Sequence, residues 1–194
     1  NGDLRYLHPK YIETAKRFNI AFDQLFTPDS IIGSWLRSKP VLVKVNNMLF
    51  AHGGFHPDLA RQKRTLDEIN RAFKDNLIAA ELESPREGFG KYVHKTFGPI
   101  WYRGYFAEDA SKGSKWRDNG ASSAEIALLL KHFDVKHIIV GHTSQKQIET
   151  RYQGRVIAID SSIKRGQYGE ILFIENGKKW RGSLSGKVLP LYHQ

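Results

Sequence analysis

The sequence predicts an α/β (α+β) fold, and two kinds of segment carry this prediction. Short apolar stretches bounded by turn residues indicate strands, among them VLVKVNNMLFAH, VKHIIVGHT and RVIAID. Other segments open with a helix-capping pattern, in which Ser or Thr precedes Glu by three residues. Helices and strands that follow one another in this way are typical of layered folds, in which helices cover a sheet.

The first predicted helix covers residues 9–26. Apolar residues recur there at alternating four- and three-residue spacing, at Tyr11, Ala15, Phe18, Phe22 and Leu25. A second, short helix is expected after Pro28, and Pro40 should stop the chain from continuing it.

Two capping boxes predict further helices. Thr65 with Glu68 opens a helix expected to reach about Leu82. The same pattern opens a second helix at Ser122, and this helix is expected to end near Phe133.

Turn residues divide the predicted strands. VLVKVNNMLFAH predicts two strands joined at Asn46 and Asn47, because asparagine tolerates turn conformations that valine and leucine do not. GEILFIENGKKWRG predicts a hairpin with its tight turn at Asn176 and Gly177. Residues 83–121 form a long segment that contains GPIWYRGYF, and a loop of that length is expected to be functional.

Composition narrows the class of protein. With 194 residues, 40% of them hydrophobic and 12% aromatic, one domain over residues 1–194 with a real core is expected. The apolar runs are far shorter than the roughly 18 residues that span a bilayer, so no membrane partner is expected. The absence of cysteine excludes thiolate metal sites and disulfides, and it suits a cytoplasmic or a periplasmic protein.

A net charge of +10 makes polyanions possible partners. The basic residues are spread along the chain, which favours a solvated surface over a nucleic-acid site, and no nucleic-acid partner is expected. A basic module that holds nucleic acid or another polyanion, with aromatic side chains stacking on bases, is the alternative from another functional class.

Two histidines occupy equivalent positions, because His52 and His142 each end an apolar strand next to glycine. Ligand crevices in α/β sheets open at strand ends, and a neutral imidazole can bind a metal there. Gly53 and Gly54 would let backbone and ligand approach closely. The two histidines are 90 residues apart, so their spacing does not form a local metal-binding motif. For each histidine alone, the alternative to a metal ligand is a turn residue whose ring is satisfied by hydrogen bonds.

These segments resemble a known family. LFAHGGFHP resembles the His-Gly-Gly block, and IIVGHT the Gly-His-Thr block, of calcineurin-like metallophosphoesterases of the phosphoprotein phosphatase type. GPIWYRGY and WLRSKPVLVKVNNMLFAHGG resemble the Shewanella-like protein phosphatase subgroup, in which the former is a Trp-containing phosphate-site segment. NGDLRYLHPKY is similar to the segment just after the family's Gly-Asn-His-Glu block. The motifs occur in the family's order over nearly the whole chain.

The resemblance implies a bacterial-type phosphatase fold and activity. The fold would be the C-terminal part of a four-layer α/β/β/α sandwich. The activity would be metal-dependent hydrolysis of a phosphoric monoester, in a phosphorylated protein or a small phosphoester, by water activated at two divalent metal ions (Mn, Fe or Zn). The resemblance does not decide between serine/threonine and tyrosine substrates. Within the class, the alternative is a dinucleoside polyphosphate hydrolase, and a phosphatase-derived scaffold that has lost catalysis is a third possibility.

On matching positions, the resemblance implies roles for single residues. His52 and His142 would be nitrogen ligands of one metal, and Arg103 would hold phosphate oxygens. The alternative for Arg103 is a surface arginine that covers Trp101 or its neighbour Tyr102.

Two further polar residues lie close to these segments. Asp160 could orient a ligand histidine or, with Ser161 and Ser162, cap a turn. His56 could line the mouth of the site, but it is expected to cap a turn.

The family's Asp-x-His, Gly-Asp-x-x-Asp-Arg-Gly and Gly-Asn-His-Glu blocks are not in this sequence. The resemblance places them, with the catalytic histidine, upstream of Asn1. Two metal ligands remain, whereas catalytic zinc sites usually have at least three from the protein. The chain is therefore expected to be the C-terminal part of a phosphatase, inactive by itself.

Overall fold

The computed structural model describes residues 7–107 and 120–191. The chain divides into two compact units, Asn1–Pro40 and Val41–Gln194. The single domain predicted over residues 1–194 stays a prediction.

The described part of the first unit contains two helices, α1 (Pro9–Arg17) and α2 (Ile31–Arg37), with a 3-10 turn at Phe22–Phe26. The helix predicted over 9–26 is wrong in its second half. The chain leaves α1 at Asn19, whose φ of 54° is the left-handed conformation that ends many helices. The short second helix is confirmed, and the Ser30 hydroxyl caps it by accepting a hydrogen bond from Gly33 N.

Eight strands in the described part of the second unit form two sheets. The first has the order β1-β2-β3-β5-β4, in which β2, β3 and β5 are parallel and the two edge strands antiparallel. The second has the antiparallel order β6-β7-β8. The strands are β1 (Leu42–Val45), β2 (Met48–Ala51), β3 (His137–Val140), β4 (Glu149–Arg151), β5 (Val156–Ala158), β6 (Glu170–Glu175), β7 (Lys178–Ser183) and β8 (Val188–Pro190).

Both predicted turns between strands are confirmed. Asn46 joins β1 to β2 with a φ of 53°, and Asn176 begins the turn between β6 and β7 with a φ of 49°. Asparagine accepts this left-handed conformation more readily than most residues do. The sequence does not predict the three-residue strands β4 and β8.

The central strands β3 and β5 of the first sheet are buried on both faces, whereas most of the edge strand β1 is exposed. In β3, Ile138 and Val140 pack in the larger core, while Ile139 packs in a smaller core on the other face with Ile157. Leu172 and other apolar residues of the second sheet cover this smaller core. The two sheets thus pack face to face, in agreement with the predicted α/β (α+β) class.

Four helices of the second unit lie among the described residues. They are α3 (Asp58–Arg61), α4 (Leu66–Asp75), α5 (Gly88–Val93) and α6 (Ser123–Phe133). Both predicted capping boxes are present, with the Thr65 and Ser122 hydroxyls accepting from the backbone N–H three residues on. The helix α4 ends seven residues before the predicted Leu82, at a C-cap formed by Asn76.

The segment 83–121 is not a plain loop. It contains α5 and a 3-10 turn at Gly104–Phe106, while residues 108–119 lie outside the described part. Within the described ranges, no helix combines the length and the apolar character needed to cross a membrane.

Candidate active site

The sheet brings the two predicted histidines to one edge. His52 directly follows β2, and His142 follows β3 after a single glycine. Because β2 and β3 are parallel neighbours with Ala51 opposite Val140, their carboxyl ends lie side by side. His52 Nε2 lies 2.9 Å from His142 Nδ1. The structure therefore places both imidazoles in one cluster.

A tight backbone turn aims the His142 ring. Gly141 N donates a hydrogen bond of 2.9 Å to His52 O, which extends the pairing of the two strands by one step. His142 itself has a φ of 62°, a left-handed conformation that costs a residue with a side chain about 1–2 kcal/mol. Thr143 N closes the turn by donating to Gly141 O at 2.6 Å. Strain of this kind persists only where neighbouring contacts hold it, and it is common at functional sites.

The two glycines after His52 admit another segment of backbone. Pro99 O accepts hydrogen bonds from Gly53 N at 2.8 Å and from Gly54 N at 3.3 Å. A Cβ atom on Gly53 would lie 2.4 Å from Ile100 O, and Gly54 has a φ of 138°. Only glycine suits both positions. Among the described residues, the backbone that the glycines admit is the segment 98–103, a partner that the sequence pattern does not identify.

That segment presents alternate side chains to the core and to the histidines. Tyr102 is fully buried. On either side of it, Arg103 Nη2 lies 2.6 Å from His142 Nε2, and the Trp101 ring meets the His142 ring edge-on at a centroid distance of 5.5 Å. Sequence reasoning misses the contact between Trp101 and His142, because no periodic pattern in the sequence marks it.

The His142 ring is held neutral. Burial lowers its pKa, the charges of Arg103 and His52 lower it further, and only Asp160 acts in the other direction. A guanidinium can only donate hydrogen bonds, so Nε2 of His142 is the acceptor. The proton of the neutral ring then lies on Nδ1, facing His52 Nε2. The three side chains thus form a chain of hydrogen bonds from Arg103 to His52.

Asp160 and His56 occupy turns. The Asp160 carboxylate accepts from Ser144 Oγ and from Ser162 N, each at 3.0 Å. These bonds match the turn-cap interpretation, and Asp160 reaches His142 only through its charge, so that a role in orienting a ligand histidine stays a prediction. His56 Nδ1 accepts from Asp58 N at 3.2 Å, as a turn cap does.

Comparison with known proteins shows which phosphatases the chain is similar to. No family profile matches the chain. The chain is 26% identical over 166 residues to Shewanella-like protein phosphatase 1 of Plasmodium berghei (strain Anka), a match covering 84% of this chain and 43% of that protein. It superposes on the crystal structure of a cold-active protein-tyrosine phosphatase of a psychrophile Shewanella sp. with a TM-score of 0.81 and 37% identity. The predicted resemblance to Shewanella-like protein phosphatases is confirmed.

The superposition on the Shewanella phosphatase covers 98% of this chain and 54% of that one. A second structure of a cold-active protein tyrosine phosphatase matches with a TM-score of 0.82 and 36% identity, covering 100% of this chain and 55% of the other. The chain therefore spans about half the length of these phosphatases and less of the Plasmodium relative. This coverage is consistent with the predicted C-terminal part of a phosphatase.

The spacing of the two imidazole nitrogens suits two ligands of one cation. Nitrogen ligands bound to one zinc-like cation at about 2.1 Å lie about 3.0–3.4 Å apart. The 2.9 Å between His52 Nε2 and His142 Nδ1 is close to this range. Within the described ranges, no cluster of three or more His, Cys, Asp or Glu residues could hold a metal ion. These residues can therefore fill two positions around a cation but not a complete set.

Proposed function

We propose that this chain is part of a metal-dependent phosphoric monoester hydrolase that acts on phosphorylated proteins or small phosphoesters. One observation carries the proposal: His142 lies between side chains from two other segments, with its Nδ1 2.9 Å from His52 Nε2 and its Nε2 2.6 Å from Arg103 Nη2. The phosphatase relatives support the same class of reaction.

His52 Nε2 and His142 Nδ1 would hold one divalent cation of a dinuclear centre. Mn, Fe and Zn all accept nitrogen ligands together with oxygen ligands. Such a pair of cations would supply a water of lowered pKa and would offset the charge on the phosphoryl oxygens. The remaining ligands and the catalytic histidine would come from the part of the whole protein that this chain does not span.

Arg103 would bind the phosphate. Its guanidinium fork matches two phosphate oxygens with parallel hydrogen bonds. The backbone on both sides of it is fixed, because Tyr102 is buried and Ile100 O packs on Gly53. If Arg103 turned from His142 Nε2 to phosphate, the proton of the neutral His142 ring could move to Nε2, and Nδ1 would then be available as a metal ligand.

The test is turnover of p-nitrophenyl phosphate by the whole protein, with manganese and with a chelator. We expect chelator-sensitive hydrolysis that His52→Ala and His142→Ala each lower by at least about 100-fold, since losing one ligand leaves the cation incompletely held. His132→Gln is the matched control, because the His132 ring bonds Arg64 O instead. No chelator-sensitive turnover, or full turnover in both alanine variants, would contradict the proposal.

Two other candidates receive less support. A dinucleoside polyphosphate hydrolase would use the same metal chemistry, and comparing turnover of such a compound with turnover of a phosphopeptide separates the two. A basic polyanion-binding module would need exposed aromatic side chains for stacking. The aromatic residues near the site are mostly core residues instead, with Tyr102, Tyr105 and Phe106 buried.

A further inference from the structure

The proposed site has an aromatic side chain at its rim. Trp101 is 49% exposed, although it lies beside the fully buried Tyr102. Its ring packs against the His142 ring in a T-shaped arrangement, with the ring planes at 84°. An indole gains a large hydrophobic stabilisation on burial, so the exposed half of Trp101 offers a surface for an apolar ligand group.

Hydrogen bonds and close packing fix the position of the backbone at Trp101. Trp101 N and Tyr102 N both donate to Gly98 O, at 3.2 and 3.1 Å. Gly98 has no room for a side chain, because a Cβ atom there would lie 2.1 Å from Val93 O. Pro99 O is bonded to the glycine turn after His52. The indole therefore extends from a backbone that is held in place, which lowers the entropic cost of binding a ligand against it.

Trp101 and Arg103 flank the same imidazole. Arg103 Nη2 contacts Nε2 of His142, and the Trp101 ring packs against the same imidazole at a centroid distance of 5.5 Å. A ligand that binds Arg103 through its phosphate would place the group esterified to that phosphate next to the indole. In an aryl phosphate this group is an aromatic ring, one oxygen away from phosphorus. In the phosphate ester of an aliphatic alcohol it is a small alkyl group, which offers the indole little surface.

We propose that Trp101 is a specificity-determining residue that packs against the aromatic ring of an aryl phosphate ester while Arg103 binds its phosphate. This inference rests on the proposed function. It assigns a preference for aryl over alkyl esters to one side chain, and the preference disappears when that side chain loses its ring.

The test compares two phosphopeptides that differ only in phosphotyrosine or phosphoserine, hydrolysed by the whole protein. We expect Trp101→Leu to lower kcat/KM on phosphotyrosine by about 2- to 12-fold, the range of one aromatic contact, mainly through a higher KM. The value on phosphoserine should change less than about twofold, and Trp101→Phe should retain most of the preference. Trp35→Ala, which removes an indole that is 58% exposed, is the control.

A binding measurement supports the kinetic one. Phenylphosphonate and methylphosphonate are stable competitors that carry the same acidic group with and without an aromatic ring. Trp101→Leu should weaken competitive inhibition by phenylphosphonate and leave that by methylphosphonate unchanged. Equal losses on both peptides, or unchanged inhibition by phenylphosphonate, overturn this inference and leave the proposed function intact. Absence of chelator-sensitive turnover in the wild-type protein on every phosphoester overturns both.

Discussion

His52 Nε2 lies 2.9 Å from His142 Nδ1, although 90 residues separate the two histidines in the chain. Parallel pairing of β2 with β3 accounts for this proximity, because it places the carboxyl ends of both strands at one edge. Arg103 reaches the same cluster from a segment that the glycine turn after His52 holds in place. Three separate segments of the chain thus meet at this edge of the sheet.

Arg103 should contribute to phosphate binding through both the charge and the planar shape of its guanidinium group. Arg103→Ala removes a charged hydrogen-bond donor from the site, and we expect kcat/KM of the whole protein to fall by about 10- to 100-fold. Arg103→Lys should recover only part of the loss, because an ammonium lacks the planar fork. Competitive inhibition by inorganic phosphate measures the same contact without turnover. If Arg103→Ala bound phosphate as tightly as the wild type, the role proposed for Arg103 would be wrong.

The glycines after β2 and β3 should differ in their tolerance of a methyl group. A Cβ atom on Gly53 would meet Ile100 O at 2.4 Å, whereas one on Gly141 would meet only His52 O at 3.4 Å. Gly53→Ala should therefore reduce the free energy of unfolding by about 1–3 kcal/mol, and Gly141→Ala by less than about 1 kcal/mol. Urea unfolding of both variants measures this. Equal losses of unfolding free energy in the two variants would show that the segment 98–103 does not pack tightly against Gly53.

The Tyr105 hydroxyl connects the core to the segment after His52. It donates to Phe55 O at 2.8 Å and accepts from Phe55 N at 3.3 Å, in a fully buried position. Tyr105→Phe leaves both backbone groups without this partner, at a cost of about 1–3 kcal/mol in unfolding free energy. Tyr11→Phe, at a position that is 57% exposed, is the control and should change stability by less than about 0.5 kcal/mol. Chemical denaturation of both variants measures the two changes in unfolding free energy, and equal changes would contradict the role of the Tyr105 hydroxyl.

Glu125 should make stability depend on pH. The Ser122 backbone N–H, the Ser122 hydroxyl and the Arg61 guanidinium lower its pKa against the effect of burial. A carboxylate with a lowered pKa stabilises the folded state above its ordinary pKa of 4.5, and this contribution is lost as the pH falls through the folded value.

Glu125→Gln tests this dependence, because glutamine can keep the capping geometry but has no charge. The variant should unfold more easily than the wild type at pH 7, and the difference should shrink as the pH falls below 4.5. Thermal unfolding of both proteins from about pH 3 to about pH 7 provides the measurement. A difference that stays constant across this range would rule out the charge as its source.

Local sequence patterns predict the elements that form through local chemistry. The capping boxes at Thr65 and Ser122 mark helix starts, and Asn46 and Asn176 mark tight turns, because each depends on neighbouring residues alone. Helix ends are predicted less consistently, since α6 ends at Phe133 as predicted, whereas α1 and α4 end earlier than predicted. Asn19 ends α1 although apolar spacing continues beyond it, since that spacing does not report the left-handed conformation.

The site can be predicted only in part. The positions of His52 and His142 at strand ends are visible in the sequence, and the order of the motifs indicates the family. The positions of Pro99 and Trp101 are not, because they depend on how a distant segment packs against Gly53. Contacts of that kind leave no periodic pattern in the sequence.

The central claim is that His52 and His142 bind the same cation, and metal stoichiometry in the whole protein tests it most directly. The proposed dinuclear centre predicts two divalent ions per wild-type chain. It predicts that His52→Ala, His142→Ala and the double variant each lose the same single ion. Manganese or zinc content after equilibrium dialysis, measured by mass spectrometry, gives the count. Full metal content in the double variant, or the loss of different ions in the two single variants, would contradict the claim.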